Sequence, residues 1–488
     1  MKPAARLSAA IQSGPLASRN FRLLTAGQFT STVGDYCYAV ALPWLVLSTH
    51  GGPVLLGTVL ACYGVPRTIG IPLGGVLADK LGPRAIMLTA DVVRCGLLLV
   101  LAVFATRHLA SLAALGPIAA LLGAGEGLFI PASFTIMPAL LGPDRLQAGN
   151  ALNSAAVQFG SLLGPALGGV LVATAGSAPA FAVDAATFAV SALTLALILP
   201  RARAILSATG NGATGDGAAD GPEPDAPEPD AQEAEPDAQE AEPGKPSSVW
   251  PLLRHSRLLQ VLLVVTVVAN FTTGGAFEVA LPSLAHLRFG ATGYGALVAC
   301  FGAGAVIGTL AATRAGGLQR PATVACFAYL LSAAGVCLVP FLGGLPGAAA
   351  AIVVLGAGSG FGNIIMITLL QQWAPAALLG RIMGVVMLAS MGSFPISVAL
   401  SGVLVRTFGP TPFFPVAGAV LAVAILGALS QHDVRDFGTD AARPAEPVRQ
   451  AEPATRDAPA ARLEPAARDE LAARDELAAR DEPTAESA

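Results

Sequence analysis

Four ionisable side chains lie within stretches of the chain that are otherwise apolar: Asp35, Arg67, Glu126 and Glu278. A charge inside a bilayer is costly, so each of these residues is a candidate for function by default. A carboxylate removed from water resists ionisation, and a nearby arginine favours ionisation again, so such groups can bind and release a proton. We therefore predict that these four residues couple proton movement to the work of the protein.

The depth of each charge in its apolar stretch narrows its role. At about 1.5 Å per helical residue, Asp35, Arg67 and Glu126 fall near the middle of a membrane. Glu278 falls nearer the outer face and is expected at the outer mouth. Asp35 and Arg67 are compatible with a proton switch that breaks and re-forms, and also with a static ion pair that joins two helices. Glu126 is a candidate for binding a proton or another cation.

Other polar residues in these stretches have plainer interpretations. Asn270 and Asn363 are candidates for contact with a substrate, although amide side chains also bond between membrane helices. Asp91 and Arg94 are three residues apart, on one face of a helix, and predict a local ion pair. Asp184 lies close to the start of its apolar stretch, which predicts solvent contact or a capping role.

Several kinds of chemistry lack the residues they need. No phosphate-binding glycine loop is present, so ATP is not expected as the direct energy source. The six cysteines form no CxxC pair, and the five histidines have no metal-binding spacing. We predict no catalytic residue, no metal and no cofactor, with a proton gradient as the energy source. The predicted partners are the lipid bilayer, protons and a small amphipathic substrate, without nucleic acid, and the chain is predicted to be a monomer.

The apolar composition of the chain predicts that membrane-spanning helices position these residues. Apolar residues make up 54% of the chain and charged residues only 12%, against about 25% charged residues in soluble proteins. This excludes an ordinary soluble enzyme. A bilayer core of about 30 Å requires about 20 apolar residues per helix. Twelve such segments are predicted, at 23–48, 54–76, 85–105, 111–138, 151–174, 178–199, 258–284, 293–313, 322–342, 347–371, 382–405 and 412–430.

The two halves of the chain are copies of each other. Residues 57–70 and 295–308 are identical at six of 14 positions, and VALPWL at 40–45 matches VALPSL at 279–284. Repeats of this size predict two six-helix bundles with a substrate site between them. Asp35 and Arg67 correspond to Gly274 and Ala305, and Glu278 corresponds to Ala39. The common fold does not require these charges, which strengthens them as candidates for function.

Basic residues predict the orientation of the chain. With the N-terminus in the cytoplasm, 15 of the 20 basic residues before the C-terminal tail fall on the cytoplasmic side, three fall outside and two lie within spans, as expected for short loops. The acidic segment 223–243 and the repetitive tail lack the apolar residues needed to fold. The predicted organisation is a cytoplasmic N-terminus at 1–22, helical bundles at 23–200 and 258–431, a mostly disordered cytoplasmic linker at 201–257 and a disordered cytoplasmic tail at 432–488.

Two short motifs carry more specific information. The loop GGVLADKLGPR at 74–84 contains Gly75, Asp79, Lys80, Gly82 and Arg84 in the pattern of a Gly, an acid, a base, a Gly and a base. Its charges could latch one bundle to the other or act as an orientation signal with a turn.

The second motif is GSLLGPALGG at 160–169, which contains Gly160, Gly164, Pro165, Gly168 and Gly169. Its glycines permit close approach of helices, and its proline favours a kink. Pure packing and a role in transport are both open interpretations.

Both motifs resemble those of the major facilitator superfamily, with Pro83 as a departure from the loop motif. The resemblance implies an all-α integral membrane fold of twelve transmembrane helices in two pseudo-symmetric bundles. VALPWLVL at 40–47, FIPASF at 129–134 and FAVDAATF at 181–188 are similar to the drug-exporting branch that includes macrolide efflux proteins and the enterobactin exporter. This implies a proton-coupled exporter of a drug or secondary metabolite in a bacterial plasma membrane. The alternatives are a siderophore exporter and a non-transporting membrane scaffold.

Overall fold

The computed structural model describes most of the apolar body of the chain. The described residues are 14–198, 254, 256–435 and 437, except positions 50, 142, 316, 317 and 375–377. The prediction of disorder for the linker lies almost entirely outside the described residues, as does that for the tail beyond 437. The first residues of the predicted tail, His432–Arg435, form a short helix. Within the described ranges the protein is helical, without a β-strand.

Twelve long helices in these ranges follow the order of the predicted segments and are numbered α1 to α12. They are α1 Arg19–Ser48, α2 Gly52–Leu81, α3 Pro83–Thr106, α4 Leu112–Leu140, α5 Pro143–Ala175, α6 Ser177–Leu197, α7 Arg257–Arg288, α8 Gly290–Arg314, α9 Pro321–Leu338, α10 Gly344–Trp373, α11 Leu379–Phe408 and α12 Pro410–Leu429. Most begin or end a few residues beyond the predicted limits, because polar residues at the membrane surface continue the helix. The all-α prediction is confirmed.

Eleven of these helices contain a stretch long and apolar enough to cross a bilayer. The exception is α1, which is more polar and carries Asp35 in its interior. With 30 residues, it is about 45 Å long and long enough to span. Its packing places it inside the bundle, because Phe21, Cys37 and Val40 are fully buried.

Each half repeats the same set of helix contacts. In the first half α1 packs on α5 and α6, α2 packs on α4, and α3 packs on α4 and α6. In the second half α7 packs on α11 and α12, α8 packs on α10, and α9 packs on α10 and α12. The internal repeat in the sequence is thus matched by the same helix pairing in space, as the prediction of two pseudo-symmetric bundles requires.

The halves meet where backbone touches backbone. A Cβ added to Gly169 of α5 would lie 3.0 Å from the Cα of Gly295 of α8, and a Cβ on Gly402 of α11 would lie 2.7 Å from the carbonyl oxygen of Pro53 at the start of α2. Only glycine permits such an approach. These ends of α2, α5, α8 and α11 lie on the side of the membrane away from the start of α1. We call these two contacts the distal seal.

Candidate functional site

A cavity of about 350 Å³ lies between the two halves. Its volume is within the range of small-molecule sites. Polar and aromatic side chains from α1, α5, α7, α8 and α11 form much of its wall, including Tyr36, Gln158, Ser161, Asn270, Thr273, Phe277, Glu278, Tyr294, Phe301, Ser390 and Phe394.

The distal seal closes one side of this cavity. Along α5 the cavity residue Ser161 precedes Gly169 of the seal, and along α11 the cavity residue Ser390 precedes Gly402. The order is reversed along α8, which runs the other way, so Gly295 precedes the cavity residues Val298 and Phe301, and only Tyr294 reaches the cavity wall from just beyond Gly295. The seal therefore lies at the end of the cavity away from the start of α1.

Glu278 projects into this cavity from an irregular turn of α7. Residues Ala276–Ala280 form a π-helix, closed by the backbone N–H of Leu281, which donates to the carbonyl oxygen of Ala276. Such widened turns are frequent at functional sites. Within the described residues the Glu278 carboxylate has no hydrogen-bond or ion-pair partner. Glu278 lines the central cavity, and its expected role at the outer mouth stays a prediction.

Glu126 is held by two arginines within the first half. Its carboxylate lies 3.0 Å from Arg67 Nη2 and 3.6 Å from Arg94 Nη2. The Glu126 and Arg67 side chains are 21% and 23% exposed, and that of Arg94 is 5% exposed. Glycines bring the helices together, because a Cβ on Gly127 of α4 would collide with the carbonyl oxygen of Arg67 on α2.

The structure pairs Arg67 with Glu126 instead of with Asp35, which the sequence analysis offered as its partner. The reason is helix packing: α2 lies along α4 through its glycines, whereas α1 packs on α5 and α6 and only slightly on α2. Asp35 is half-buried and forms no ion pair within the described residues.

The local Asp91–Arg94 pair is also not formed. Arg94 bonds to Glu126 and stacks over the ring of Phe188 at 4.7 Å, whereas Asp91 is fully buried and forms no ion pair in the described part of the chain. Cross-helix partners are available to Arg94 because α3 packs against both α4 and α6.

Asp184 is not solvated, contrary to expectation. It is 1% exposed and accepts a hydrogen bond of 3.3 Å from the Thr187 hydroxyl. The side chain lies against Gly34 of α1, which has no side chain to fill that space. The Asp184 carboxylate is therefore buried between α1 and α6, next to Gly34, the residue that precedes Asp35 in the sequence.

The two asparagines have different surroundings. Asn270 lines the cavity and donates hydrogen bonds to the carbonyl oxygen of Thr266, at 2.8 Å, and to the Ser390 hydroxyl, at 3.4 Å. Asn363 is exposed and is not part of the cavity wall. Sequence reasoning missed Tyr36 and Tyr294 as wall residues, because aromatic residues in apolar segments look like ordinary core.

The loop motif joins α2 to α3 within the first half. Gly82 adopts a φ of 86° between the helices, a conformation that favours glycine. Arg84 donates to the carbonyl oxygens of Leu195 and Ala196, at 2.8 and 2.7 Å, at the end of α6. Asp79 and Lys80 are exposed, Gly75 has open space around it, and the latch role stays a prediction.

The glycines of the second motif face two neighbours. Gly160, Gly164 and Gly168 pack on α1, and the Cys37 thiol donates to the Gly164 carbonyl oxygen at 3.2 Å. Gly169 and the Pro165 carbonyl instead meet Gly295 of the second half. The motif thus packs α5 within its own bundle and also forms part of the distal seal.

The sequence matches the model of the Major Facilitator Superfamily over residues 24–396 and 263–466. The chain belongs to the major facilitator superfamily. Among curated proteins it is similar to the enterobactin exporter EntS of Escherichia coli strain K12 and of Shigella boydii serotype 4, each 27% identical over 429 residues, covering 86% of this chain and 93% of the relative.

Solved structures of other transporters share this fold at low identity. A mutant of the nucleoside transporter NupG matches with a TM-score of 0.63 and 12% identity, covering 84% of this chain and 99% of that one. A bacterial homologue of the iron transporter ferroportin in an inward-facing state matches with a TM-score of 0.59 and 14% identity, covering 84% and 98%.

This membership confirms the fold class and the broad function. As a major facilitator superfamily member the chain is a multi-pass membrane transporter, and the superfamily is a class of transporters, not of enzymes. The described residues contain no cluster of three or more His, Cys, Asp or Glu that could hold a metal ion.

Proposed function

We propose that this transporter exports a bulky amphipathic drug or secondary metabolite in exchange for protons, and that Glu126 carries the proton. The observation that supports this most directly is the pair of contacts from Arg67 and Arg94 to the Glu126 carboxylate. A proton and the two guanidinium groups compete for the same oxygens. Proton binding therefore releases both arginines, and proton loss recaptures them.

Helix α2 connects this competition to the contact between the halves. Thr68, the residue after Arg67, donates a hydrogen bond of 3.3 Å to the carbonyl oxygen of Met391 in α11. The same helix begins at the distal seal, where Pro53 meets Gly402. A displacement of Arg67 would thus act on a helix that touches the second half at several levels, from Pro53 to Thr68. A ligand shifts such an equilibrium by its different affinity for the two states.

The direction of transport follows from the predicted orientation, with both termini in the cytoplasm of a bacterium and the protein in the plasma membrane. The distal seal then closes the outer side, and the cavity takes up substrate from the cytoplasm. Glu126 is held by arginines in this state, as expected once the proton has left. Asp35, close to the buried Asp184, is proposed as a second proton-binding group, and Asp79 as part of an inner latch.

A siderophore exporter is the second candidate. It is favoured by the name of the relatives, enterobactin exporter, at 27% identity. Both candidates share the fold, the proton gradient as energy source and a monomeric chain in the bilayer, so the substrate separates them.

Efflux of rhodamine 6G from bacterial cells that express the protein, with and without an uncoupler, tests the role of Glu126. Glu126→Gln keeps the size and hydrogen bonding of the side chain but cannot ionise, so we expect proton-driven efflux to be lost. Asp433→Asn serves as the matched control, because Asp433 is exposed beyond α12. Uncoupler-sensitive efflux at the wild-type rate by Glu126→Gln would remove Glu126 from the mechanism.

A further inference from the structure

The wall of the central cavity carries one carboxylic acid and no basic side chain. Glu278 is the only acidic residue among the described residues that line it, and no lysine, arginine or histidine is among them. It is also the only acidic residue between positions 258 and 430. The second half therefore contributes a single carboxylate to its membrane helices, and this carboxylate faces the cavity.

This carboxylate has no partner within the described part of the chain. The nearest candidate is Arg67, because α2 touches the π-helical turn that carries Glu278. The Arg67 guanidinium is instead bonded to Glu126 at 3.0 Å, and Arg67 is not part of the cavity wall. A cation that enters the cavity can therefore pair directly with the Glu278 carboxylate through a charge-assisted contact.

The surroundings of Glu278 are suited to an organic cation. Phe277, the adjacent residue, stacks against Phe301 of α8 with ring centroids 4.5 Å apart, and Tyr36, Tyr294 and Phe394 complete an aromatic wall. Aromatic faces attract organic cations, and they also bind apolar groups. A negatively charged substrate would instead be repelled by Glu278 at short range, where little water screens the charges.

We infer that the substrate is an amphipathic cation, and that Glu278 is the counter-charge that holds it against the aromatic wall. This inference rests on the proposed export function, since it names the substrate class of the same cavity. It also separates the two candidate functions, because an acidic siderophore carries the wrong charge for this site.

Two probes of the same shape and opposite charge test the inference. Tetraphenylphosphonium and tetraphenylborate both carry four phenyl groups around a central atom. With the full-length protein purified in lipid nanodiscs, we expect saturable binding of radiolabelled tetraphenylphosphonium at neutral pH, and no saturable binding of radiolabelled tetraphenylborate in a separate measurement. Glu278→Gln should weaken that binding at least tenfold, whereas Glu278→Asp, which keeps the charge, should retain most of it.

Asp433→Asn, at an exposed position beyond α12, is the matched control and should bind tetraphenylphosphonium like the wild type. Binding in nanodiscs requires no proton gradient, so its outcome is distinct from that of the efflux test of Glu126. The inference is overturned if the wild type does not bind tetraphenylphosphonium, if it binds tetraphenylborate equally tightly, or if a monodisperse Glu278→Gln protein binds tetraphenylphosphonium as tightly as the wild type. Should Glu278→Gln fail to fold, a loss of binding of tenfold or more in a folded Glu278→Asp protein, which keeps the charge, would count against a role for the charge.

Discussion

The two halves of the transporter use the same glycine contacts to support different chemistry. In the first half Gly127 of α4 meets the carbonyl oxygen of Arg67 in α2. In the second half Gly360 of α10 meets the carbonyl oxygen of Ala305 in α8, the counterpart of Arg67. The backbone contact is therefore a property of the shared scaffold, and the charge at this position is an addition to it.

The polar contacts beside these glycines show the same difference. Arg94 and Glu126 of the first half are matched by Ser332 and Ser359 of the second, whose hydroxyl groups are hydrogen-bonded at 3.3 Å. A bond between α3 and α4 is thus replaced by one between α9 and α10. The first half has charged groups at this position that can exchange a proton. The acidic residue of the second half, Glu278, instead lines the cavity.

The largest expected effect comes from removing Arg94 of the first half, compared with removing the hydroxyl of its counterpart Ser332 in the second half. In Arg94→Leu the more distant of the two guanidinium groups that hold the half-buried Glu126 is lost, while Arg67 stays, and a bond to a charged group contributes about 1.5–3 kcal/mol. In Ser332→Ala a hydroxyl bond worth about 1 kcal/mol is lost. Thermal unfolding of the two variants in the same detergent measures the difference. Equal losses of stability would show that the first half gains nothing from its charges.

An intermediate and symmetric effect is expected at the glycines. Gly127→Ala and Gly360→Ala each push a methyl group into the backbone of the facing helix, and overpacking costs about 1–3 kcal/mol. Gly427→Ala in α12 is the control, because a Cβ there meets nothing within 4 Å. We expect both interior variants to lower the unfolding temperature relative to this control. Destabilisation of only one half would contradict a shared scaffold.

The smallest effect is expected at Arg84, which has no basic counterpart in the second half. Arg84→Gln removes two hydrogen bonds to the carbonyl oxygens at the end of α6, at a partly exposed site. The expected loss of stability is about 1 kcal/mol, with efflux of rhodamine 6G within about twofold of the wild type. A larger loss of efflux at unchanged stability would assign Arg84 to the latch that its motif predicts.

The sequence was sufficient for the helices and the repeat, since about 20 apolar residues in a row have few other solutions. It also singled out Arg67, Glu126 and Glu278, because charges are rare in such segments. The partner of Arg67 could not be predicted from it. Depth along a helix gives the height of a side chain in the membrane, but which helix it faces depends on packing between glycines distant in the sequence.

The position of Glu278 illustrates a second limit. A regular α-helix was assumed for α7, and the π-helical turn at Ala276–Ala280 changes the direction in which the following side chains point. Asp184 was misplaced for a related reason, since its burial depends on the gap that Gly34 leaves in a neighbouring helix. Both features depend on tertiary contacts that a single apolar segment does not reveal.

The distal seal has a consequence for how this transporter can change over evolutionary time. Its contacts are made by backbone atoms of glycines such as Gly169 and Gly295, so almost any substitution there obstructs closure. Most of the cavity wall is made of side chains, and a side chain such as that of Phe301 can be exchanged without touching the seal. Substrate preference can therefore drift through single substitutions such as Phe301→Leu, while the closing mechanism stays fixed.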